Sequence, residues 1–190
     1  EDGGPIQVGY AIVTPLATTT SGSPATGLVV FATFGLKRGG EDTEQAGILP
    51  SDMTKKAILY VSTNGKLSRN LGIGIVNPNP TPATIKMTFE NEKGETIGTP
   101  VEFTVDAGKQ IARFVTAFFA NHPEIPRDLD GTVVITSDLP VSIVGLRFRG
   151  PNFSALPITN MMPSSGVPVR GVSIGGPNAA IVPHFVAGGG

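Results

Sequence analysis

Histidines and hydroxyl-bearing side chains are the residues of this chain that could do chemistry, and their spacing limits what each can do. Its two histidines, His122 and His184, each lie next to a proline, and neither has a second histidine or an acid at the spacing of a metal site. We therefore expect both to be ordinary surface or turn residues. The chain has 0 cysteines, which excludes disulfides, thiolate catalysis and thiolate metal sites together.

Three short motifs resemble known sites but lack essential parts of them. Asp128–Gly131 begins like a calcium loop, yet the further acidic positions and the terminal Glu are missing, so a turn at Asp130-Gly131 is the plainer interpretation. Ser164–Gly166 has no strand-to-helix setting for a nucleophile elbow. Gly72–Gly74 does not extend to a phosphate-binding glycine pattern. We therefore predict no catalytic residue, no metal site and no cofactor, and expect that the protein is not an enzyme.

The charge of the chain argues against a polyanionic partner. Only 15% of its residues are charged and the net charge is −1, so it lacks the basic field that nucleic acid needs. A base could stack on Phe148 between Arg147 and Arg149, but a solvated strand end explains these residues better. There is also no run of about 18 apolar residues. We expect neither nucleic-acid binding nor membrane insertion.

Two features of the chain could carry sugar. Asn152 begins an acceptor sequon for N-linked glycans, although a random chain of this length often contains one. Thr18, Thr19 and Thr20 lie in a Thr/Ser/Pro-rich stretch that suits O-linked sugar. Low charge with abundant Thr, Ser, Gly, Pro and Asn favours an extracellular or cell-surface bacterial protein, so glycans are among the expected partners.

The elements that must position these residues are predicted to be short strands. The 25 glycines and 17 prolines interrupt the chain too often for long helices, which favours an all-β fold. Apolar alternation between turn signals predicts these strands: Ile6–Val13, Gly27–Phe34, Gln45–Leu49, Ala57–Val61, Leu71–Val76, Thr84–Glu90, Val101–Val105, Thr132–Ser137, Val141–Phe148, Phe153–Ile158, Gly171–Gly176 and Ala179–Val186.

The segments between these strands have their own signals. Asn91–Gly94 predicts a hairpin turn, and Asp138–Pro140 predicts a turn between two strands. The glycines of Leu71–Val76 should let a backbone or an aromatic ring approach closely, and Asn77–Pro82 should end that strand. In Ile111–Phe119 the apolar residues have helical spacing, which predicts a short helix or a strand running into a helical turn across an open end of a sandwich.

Part of the sequence occurs twice. Four segments recur in the same order with variable spacing, as expected where strands are repeated and loops drift: Gly27–Phe31, Phe34–Gly40, Ile48–Pro50 and Ala57–Val61 match Gly131–Ile135, Val144–Gly150, Ala155–Pro157 and Ala180–Val182. We therefore predict tandem modules. Residues 1–56 would form an N-terminal strand, a Thr-rich linker and a partial module, and residues 57–160 a complete β-sandwich module. Residues 161–190 would form a linker and strands that pair with a neighbouring module or subunit.

Four segments also resemble a known family: Gly72–Pro78, Thr81–Thr84, Ala107–Phe114 and Thr136–Val141. They are similar to the tandem immunoglobulin-like β-sandwich modules of large bacterial secreted and cell-surface proteins, over about Ala57–Pro157. The resemblance implies an immunoglobulin-like β-sandwich with an extracellular structural or adhesive role. It implies no catalytic residues.

A partial first module would need a partner. It would leave an apolar face and an unpaired sheet edge at Leu28, Val30 and Phe34. A strand could be added there either by the N-terminal segment or by the C-terminal segment of a neighbour, whose apolar residues are Ile6, Val8, Tyr10 and Ile12 in the first and Ile181 and Phe185 in the second. Alternatively, both termini pair within their own chain, or the missing parts lie in a longer polypeptide.

Head-to-tail addition of this kind does not close on itself and builds a filament. We therefore expect an extracellular structural protein, a subunit of a cell-surface fibre that assembles with copies of itself by strand addition. The alternative is a monomeric adhesin-type segment of a large surface protein, which binds carbohydrate or host protein and does not self-assemble.

Overall fold

A computed structural model describes residues 9–13, 30–38 and 41–160. Within these ranges it shows strands joined by short connections and one four-residue helix, α1 (Val115–Phe118). The strands are β1 (Ala32–Arg38), β2 (Glu41–Ile48), β3 (Met53–Ser62), β4 (Arg69–Asn77), β5 (Ala83–Asn91), β6 (Thr96–Val105), β7 (Lys109–Phe114), β8 (Asp130–Arg149), β9 (Asn152–Leu156) and β10 (Thr159–Asn160). The predicted all-β fold with one short helix is confirmed.

The antiparallel strands from β3 onward curl into a sandwich-like arrangement around β8. The first half of β8, up to Ser137, lies between β3 and β5, and β6 and β10 extend this first sheet. The second half, from Val141 onward, lies between β4 and β9, and β7 extends this second sheet. A single strand of 20 residues therefore belongs to both sheets.

The predicted turn at Asp138–Pro140 is wrong, because these residues form a bend inside β8. The register of β3 against β8 shifts between Thr54 and Lys56, so the neighbouring strand turns the corner together with β8. Asp138 Oδ1 accepts a hydrogen bond from Thr84 N–H at 2.8 Å, which ties the bend to β5. The sequence signal for a change of direction was correct, but the chain changes sheets there instead of reversing.

The core lies between the two sheets and follows the period of two along each strand. Its largest fully buried side chains are Leu59, Val61, Leu71, Ile73, Ile75, Ile85, Met87, Val133, Ile135 and Ile143 of the strands, with Val115 and Leu129. Burying one such side chain contributes about 1.5–3 kcal/mol. The predicted hairpin at Asn91–Gly94 is confirmed: β5 and β6 pair across it, and Gly94 has a positive φ of 77°.

One end of the sandwich is closed by β7 running into α1. Val115 and Phe118 of this turn are buried, and the Phe118 ring stacks on Phe103 at a centroid distance of 5.1 Å. Of the two predicted forms of Ile111–Phe119, the strand running into a helical turn is therefore confirmed. Phe114 does not share the buried face, since its side chain is 45% exposed.

Asn77 ends β4 and organises the loop that follows. Its fully buried side-chain nitrogen, Nδ2, donates to the carbonyl oxygens of Thr81 (2.8 Å) and Val105 (2.9 Å). The oxygen of Asn77, Oδ1, accepts hydrogen bonds from Asn79 N–H at 3.0 Å and from Asn79 Nδ2 at 2.7 Å. Asn79 Nδ2 also donates to Pro140 O at 2.8 Å. The buried amide of Asn77 thus joins the end of β4 to the end of β6, and through Asn79 to the bend of β8.

One part of the repeated sequence forms similar local structure in both copies, the strand of a hairpin that contains Phe34 in the first copy and Val144 in the second. Val30 and Phe31 precede β1, whereas Gly131–Ile135 lies within β8, and Ala180–Val182 lies outside the described residues. β1 and β2 form an antiparallel hairpin closed by Arg38 and Glu41, and β8 and β9 form one closed by Arg149 and Asn152. β2 lies alongside β9. The strand bounds differ from the predicted ones, because β1 extends to Arg38 and β2 already begins at Glu41.

The remaining predictions for strands and domains concern other parts of the chain. The predicted strands Gly171–Gly176 and Ala179–Val186 lie outside the described residues, and so does the Thr-rich linker. The division at residues 56 and 160, the tandem modules and the immunoglobulin-like topology stay predictions.

Candidate strand-acceptor edge

β7 forms a regular edge of the second sheet. Its six residues pair with β4 in one continuous register, from Gly72 with Phe114 to Asn77 with Lys109. No proline or bulge interrupts it, and no strand in the described ranges pairs with its other side. Such an edge presents a row of backbone N–H and C=O groups that can pair with an added strand.

The edge of the first sheet, β6, is blocked in several ways. Pro100 removes one backbone donor, and Gly98 has a positive φ of 73°. The register against β5 shifts between Met87 and Phe89. Glu124 covers this edge, because its Oε1 accepts hydrogen bonds from the Thr99 backbone N–H and hydroxyl, both at 3.2 Å. β6 is therefore a poor acceptor for a further strand, whereas β7 has no comparable protection.

Gly9 and Tyr10 lie against β7 without forming a ladder with it. The predicted strand Ile6–Val13 is therefore wrong in its described part, because Gly9–Val13 has no strand partner. Tyr10 Oη donates to Gly108 O at 3.1 Å. With the Gln110 amide oriented to satisfy both groups, its nitrogen donates to Gly9 O at 3.2 Å and its oxygen accepts from Gly9 N–H at 3.1 Å. The side-chain amide of Gln110 thus bonds both the N–H and the C=O of Gly9, as a residue of a neighbouring strand would.

The apolar side chains of this segment remain largely in solvent. Tyr10 is 39% exposed, Ile12 68% and Val13 57%. The polar contacts of Gly9 and Tyr10 hold the segment beside β7, but little apolar surface is buried there. A strand with this pattern gains stability only when its apolar face meets another surface.

An apolar groove runs over the outer face of the second sheet, next to β7. We call it the Gly72/Gly74 groove; it encloses about 390 Å³ and is lined by Gly9, Gly72, Ile73, Gly74, Gln110, Ala112, Arg113, Phe114, Val144, Leu146 and Phe148. The predicted close approach to the strand glycines is confirmed, since a methyl group at Gly72 would lie 3.2 Å from the Phe148 ring. The missing side chains of Gly72 and Gly74 form its floor.

Phe148 is held in an aromatic cluster on this face. Its ring centroid lies 5.2 Å from that of Phe114 and 5.9 Å from that of Phe153. Phe148 is half-buried, and it shares its strand face with Leu146 and not with its neighbours Arg147 and Arg149. The ring therefore packs against the sheet and is not an open platform between two guanidinium groups.

The candidate residues for chemistry are spread over the molecule. His122 Nδ1 lies 3.2 Å from Glu124 Oε1, and hydrogen bonds from the Glu124 and Thr99 backbone lower the pKa of Glu124 to about 2, with a further contribution from His122. The described ranges contain no group of three His, Cys, Asp or Glu side chains that could hold a metal ion. His184 and Ser164–Gly166 lie outside them.

Asp130-Gly131 does not form the predicted turn, because both residues begin β8. Gly131 pairs with Val61 on one side and with Asn91 on the other. Asp130 Oδ1 accepts a hydrogen bond from Tyr60 Oη at 2.9 Å, and this bond raises the pKa of the tyrosine. The positive φ of 150° at Gly131 explains why a glycine is needed inside a strand here.

Most of the predicted interface and sugar-bearing residues lie outside the described ranges of the chain. Those outside the described residues are Ile6, Val8, Thr18, Thr19, Thr20, Leu28, Ile181 and Phe185. Val30 is half-buried just before β1, and the backbone of Phe34 lies in β1. Tyr10 and Ile12 belong to the segment beside β7, whereas the sequence argument placed the acceptor at the first partial module. Asn152 is exposed at the start of β9, and its glycosylation stays a prediction.

The sequence argument missed β7 as an open edge and Gln110 as its contact to the N-terminal segment. The spacing of Ile111–Phe119 drew attention to a helical face, whereas Lys109–Phe114 is a strand. A signal was present in the short run between Gly108 and the turn at Val115, which contains no proline.

Comparisons with known proteins leave the family open. No family model and no curated protein matches the chain. Among solved structures, the Anabaena sensory rhodopsin transducer is 22% identical, with a TM-score of 0.40 over 47% of this chain and 91% of that one. Thermotoga maritima 1070 is 18% identical, with a TM-score of 0.40 over 56% of this chain and 90% of that one. In the part of the chain that the structure describes, no helix is long and apolar enough to cross a membrane.

Proposed function

We propose that this protein is a non-enzymatic, extracellular structural subunit that assembles with copies of itself by strand addition at β7. The observation that carries the proposal is the position of Gly9–Val13, which lies beside a regular, unpaired edge while its apolar side chains stay exposed. The extracellular location rests on the low charge and the Thr/Ser/Pro-rich composition.

The contact beside β7 can form within one subunit or between two. A stretch rich in Thr, Ser and Pro separates Val13 from β1, so the chain sequence does not fix which β7 the segment meets. When the segment of each subunit meets the next subunit, donor and acceptor are different surfaces, and the assembly grows as an open filament. Domain swapping, in which copies exchange an identical element, forms such contacts at a low cost in free energy.

The energetics favour a strand longer than the described segment. Burying a Tyr, an Ile or a Val side chain contributes about 1.5–3 kcal/mol. Association costs an estimated 4–15 kcal/mol in lost rigid-body freedom. Tyr10, Ile12 and Val13 alone would therefore give weak assembly, and stable filaments need further apolar side chains from the same strand or additional backbone pairing.

The absence of cysteine makes a direct test possible. We would mix two single-cysteine variants, Gly9→Cys and Ala112→Cys, whose positions line the same groove, and treat the mixture with a short bismaleimide. Strand exchange predicts a covalent heterodimer and regular filaments of the unmodified protein in negative-stain microscopy. Gly9→Cys mixed with Lys93→Cys, in the β5–β6 turn, is the matched control and should remain uncrosslinked.

A strictly monomeric protein that gives no crosslink in the mixture would overturn the proposal. A second candidate, an adhesin-type segment, is favoured by the apolar groove with its aromatic walls at Phe114 and Phe148. Saturable binding of such a monomer to a glycan or matrix-protein array would support that candidate instead.

A further inference from the structure

Three arginines lie together at one end of the second sheet, and we propose that they form a binding site for a tetrahedral oxyanion, a phosphate or sulfate group. They are Arg69 of β4 and Arg147 and Arg149 of β8, and we call them the arginine cluster. The cluster is separate from the edge at β7. Strand addition makes no use of its residues.

The register of the sheet brings the three side chains onto one face. Arg69 lies directly opposite Arg149, and Leu71 lies opposite Arg147. Directly opposite residues of antiparallel strands share a face, and so do residues two apart in one strand. All three arginines therefore lie on the face that carries the buried Leu71, at the margin of the core, whereas Phe148 lies on the other face.

The next strand adds neutral donors to the same face. In the register of β8 and β9, Ser154 lies opposite Arg147 and Asn152 lies opposite Arg149. These four residues are exposed, so a ligand in solution can reach them. Guanidinium, amide and hydroxyl groups all donate hydrogen bonds. β4, β8 and β9 thus present a continuous group of donors to an acceptor.

The charge of the arginine cluster is not balanced by ion pairs. Like charges directly opposite each other in a sheet are destabilising. In the first sheet Lys86 lies opposite Glu102, and their side chains form an ion pair at 3.5 Å. In the part of the chain that the structure describes, none of the three arginines forms such a pair. Asp130 acts on Tyr60 together with Arg147, but its Oδ1 accepts the Tyr60 hydroxyl at 2.9 Å. One acid beside three arginines leaves an excess of positive charge.

The backbone of Arg69 is fixed, while its side chain lacks an acceptor. Its N–H donates to Asn64 O at 3.0 Å, and its carbonyl accepts from Asn64 N–H at 3.1 Å. Gly150 N–H donates to Ser68 O at 2.9 Å, which holds the β8–β9 turn beside the start of β4. Arg69 Nε is buried and has no hydrogen-bond partner. Such a donor is destabilising, so an anion that reorients this guanidinium would relieve a cost that the free protein bears.

The number of donors selects the class of ligand. A guanidinium fork binds carboxylate or phosphate oxygens through two parallel hydrogen bonds. A carboxylate has only two oxygens, whereas a phosphate group offers three acceptor oxygens, and sulfate has the same shape. Three arginines therefore match a tetrahedral oxyanion better than a carboxylate. The net charge of −1 argues against a partner with many charges, but a single oxyanion needs only a local cluster.

Nuclear magnetic resonance titration of the full chain tests the site. Proton–nitrogen spectra would follow the arginine Nε–H signals during addition of inorganic phosphate, inorganic sulfate, methyl phosphate or acetate at matched ionic strength. We expect saturable shifts of the Arg69 signal with the three tetrahedral anions and at least several-fold weaker binding of acetate. Tighter binding of methyl phosphate than of inorganic phosphate would identify an ester as the ligand, and the reverse order would identify the free ion; both support the site.

Substitutions separate a binding role from a structural one. Arg149→Ser should weaken phosphate binding about tenfold or more, and Arg149→Lys, which keeps the charge without the fork, several-fold. Lys93→Ser removes one charge in the β5–β6 turn and should leave binding unchanged. Without added anion, Arg149→Ser should be at least as stable in urea as the unchanged protein, because it removes the like charge opposite Arg69.

Four results would overturn the proposal. They are shifts that do not saturate, equal affinity for acetate and phosphate, phosphate binding that survives Arg149→Ser, and a marked loss of stability in Arg149→Ser without added anion. The last result would show that Arg149 stabilises the fold and does not wait for a ligand.

Discussion

Replacing Asn77 by alanine should be among the most damaging polar substitutions in the described part of the protein. The change removes the three bonds that Nδ2 donates, to Thr81 O, Val105 O and Asp106 O, and both bonds that Oδ1 accepts from Asn79. The Val105 carbonyl suffers most, because that residue is only 3% exposed and water cannot easily replace the lost donor. A buried group left without a partner costs about 1–3 kcal/mol.

Summed over one buried carbonyl and two groups that water can partly reach, we expect Asn77→Ala to lower the free energy of unfolding by about 3–5 kcal/mol. That is a large part of the 5–15 kcal/mol typical of a whole domain. Asn79→Ala, which leaves the bonds to Thr81 and Val105 intact, should cost only about 1–2 kcal/mol. The double variant should cost little more than Asn77→Ala, because the two side chains share one network.

Urea unfolding followed by far-UV circular dichroism measures these differences. The m-value must stay constant across the four proteins for the comparison to be valid. A loss below about 1 kcal/mol for Asn77→Ala, at constant m, would refute the idea that this amide joins β4, β6 and the bend of β8. Additive losses for the two single substitutions would show that Asn77 and Asn79 act separately.

Two further predictions concern the backbone of β8 and the acid stability of the protein. Gly131→Ala should destabilise the protein strongly, because a methyl group there would overlap Glu90 O and the backbone conformation itself costs about 1–3 kcal/mol. Gly150 also has a positive φ, but the space around it is open. Gly150→Ala should therefore cost only about 1 kcal/mol in the same urea titration. The pKa of Glu124 falls from 4.5 to about 2 on folding, so its contribution is full above pH 4.5 and is lost as the pH falls toward 2. Glu124→Gln should therefore flatten the melting temperature over this range; an equally steep decline in both proteins would contradict the assignment.

Local patterns in the sequence were sufficient for much of the fold. The alternation of Ile85, Met87 and Phe89 predicted both the strand and its buried face, because one side of β5 packs on the core. Gly72 correctly predicted the approach of an aromatic ring, that of Phe148. The continuity of β8 could not be read in this way, because Asp138 and Pro140 look the same in a turn and in a bend that moves a strand from one sheet to another.

The candidate site was harder to predict, because an edge is defined by what is missing beside it. The apolar alternation of Tyr10 and Ile12 predicted a donor strand, but nothing local to Lys109–Phe114 indicates that no other strand in the described ranges pairs with its outer side. The sequence identified Asn77 only as the residue at which a strand ends. Its role depends on Val105, which is distant in the sequence and meets it only through the fold, and on Asn79, which links it to Pro140.

The edge strand β7 and the segment Gly9–Val13 differ in how firmly each is held, and this difference supports β7 as the proposed acceptor. Asn77 pairs with Lys109 at the start of β7 and is bonded into the core, so this end of the edge is fixed before any strand arrives. Little ordering cost then falls on the acceptor, and most of it falls on the donor. Gly9–Val13 is held by a few polar contacts and can leave β7 without exposing core residues. A fixed edge beside a segment held by few contacts is what the proposed exchange between subunits requires, because the sandwich of each subunit could then stay intact.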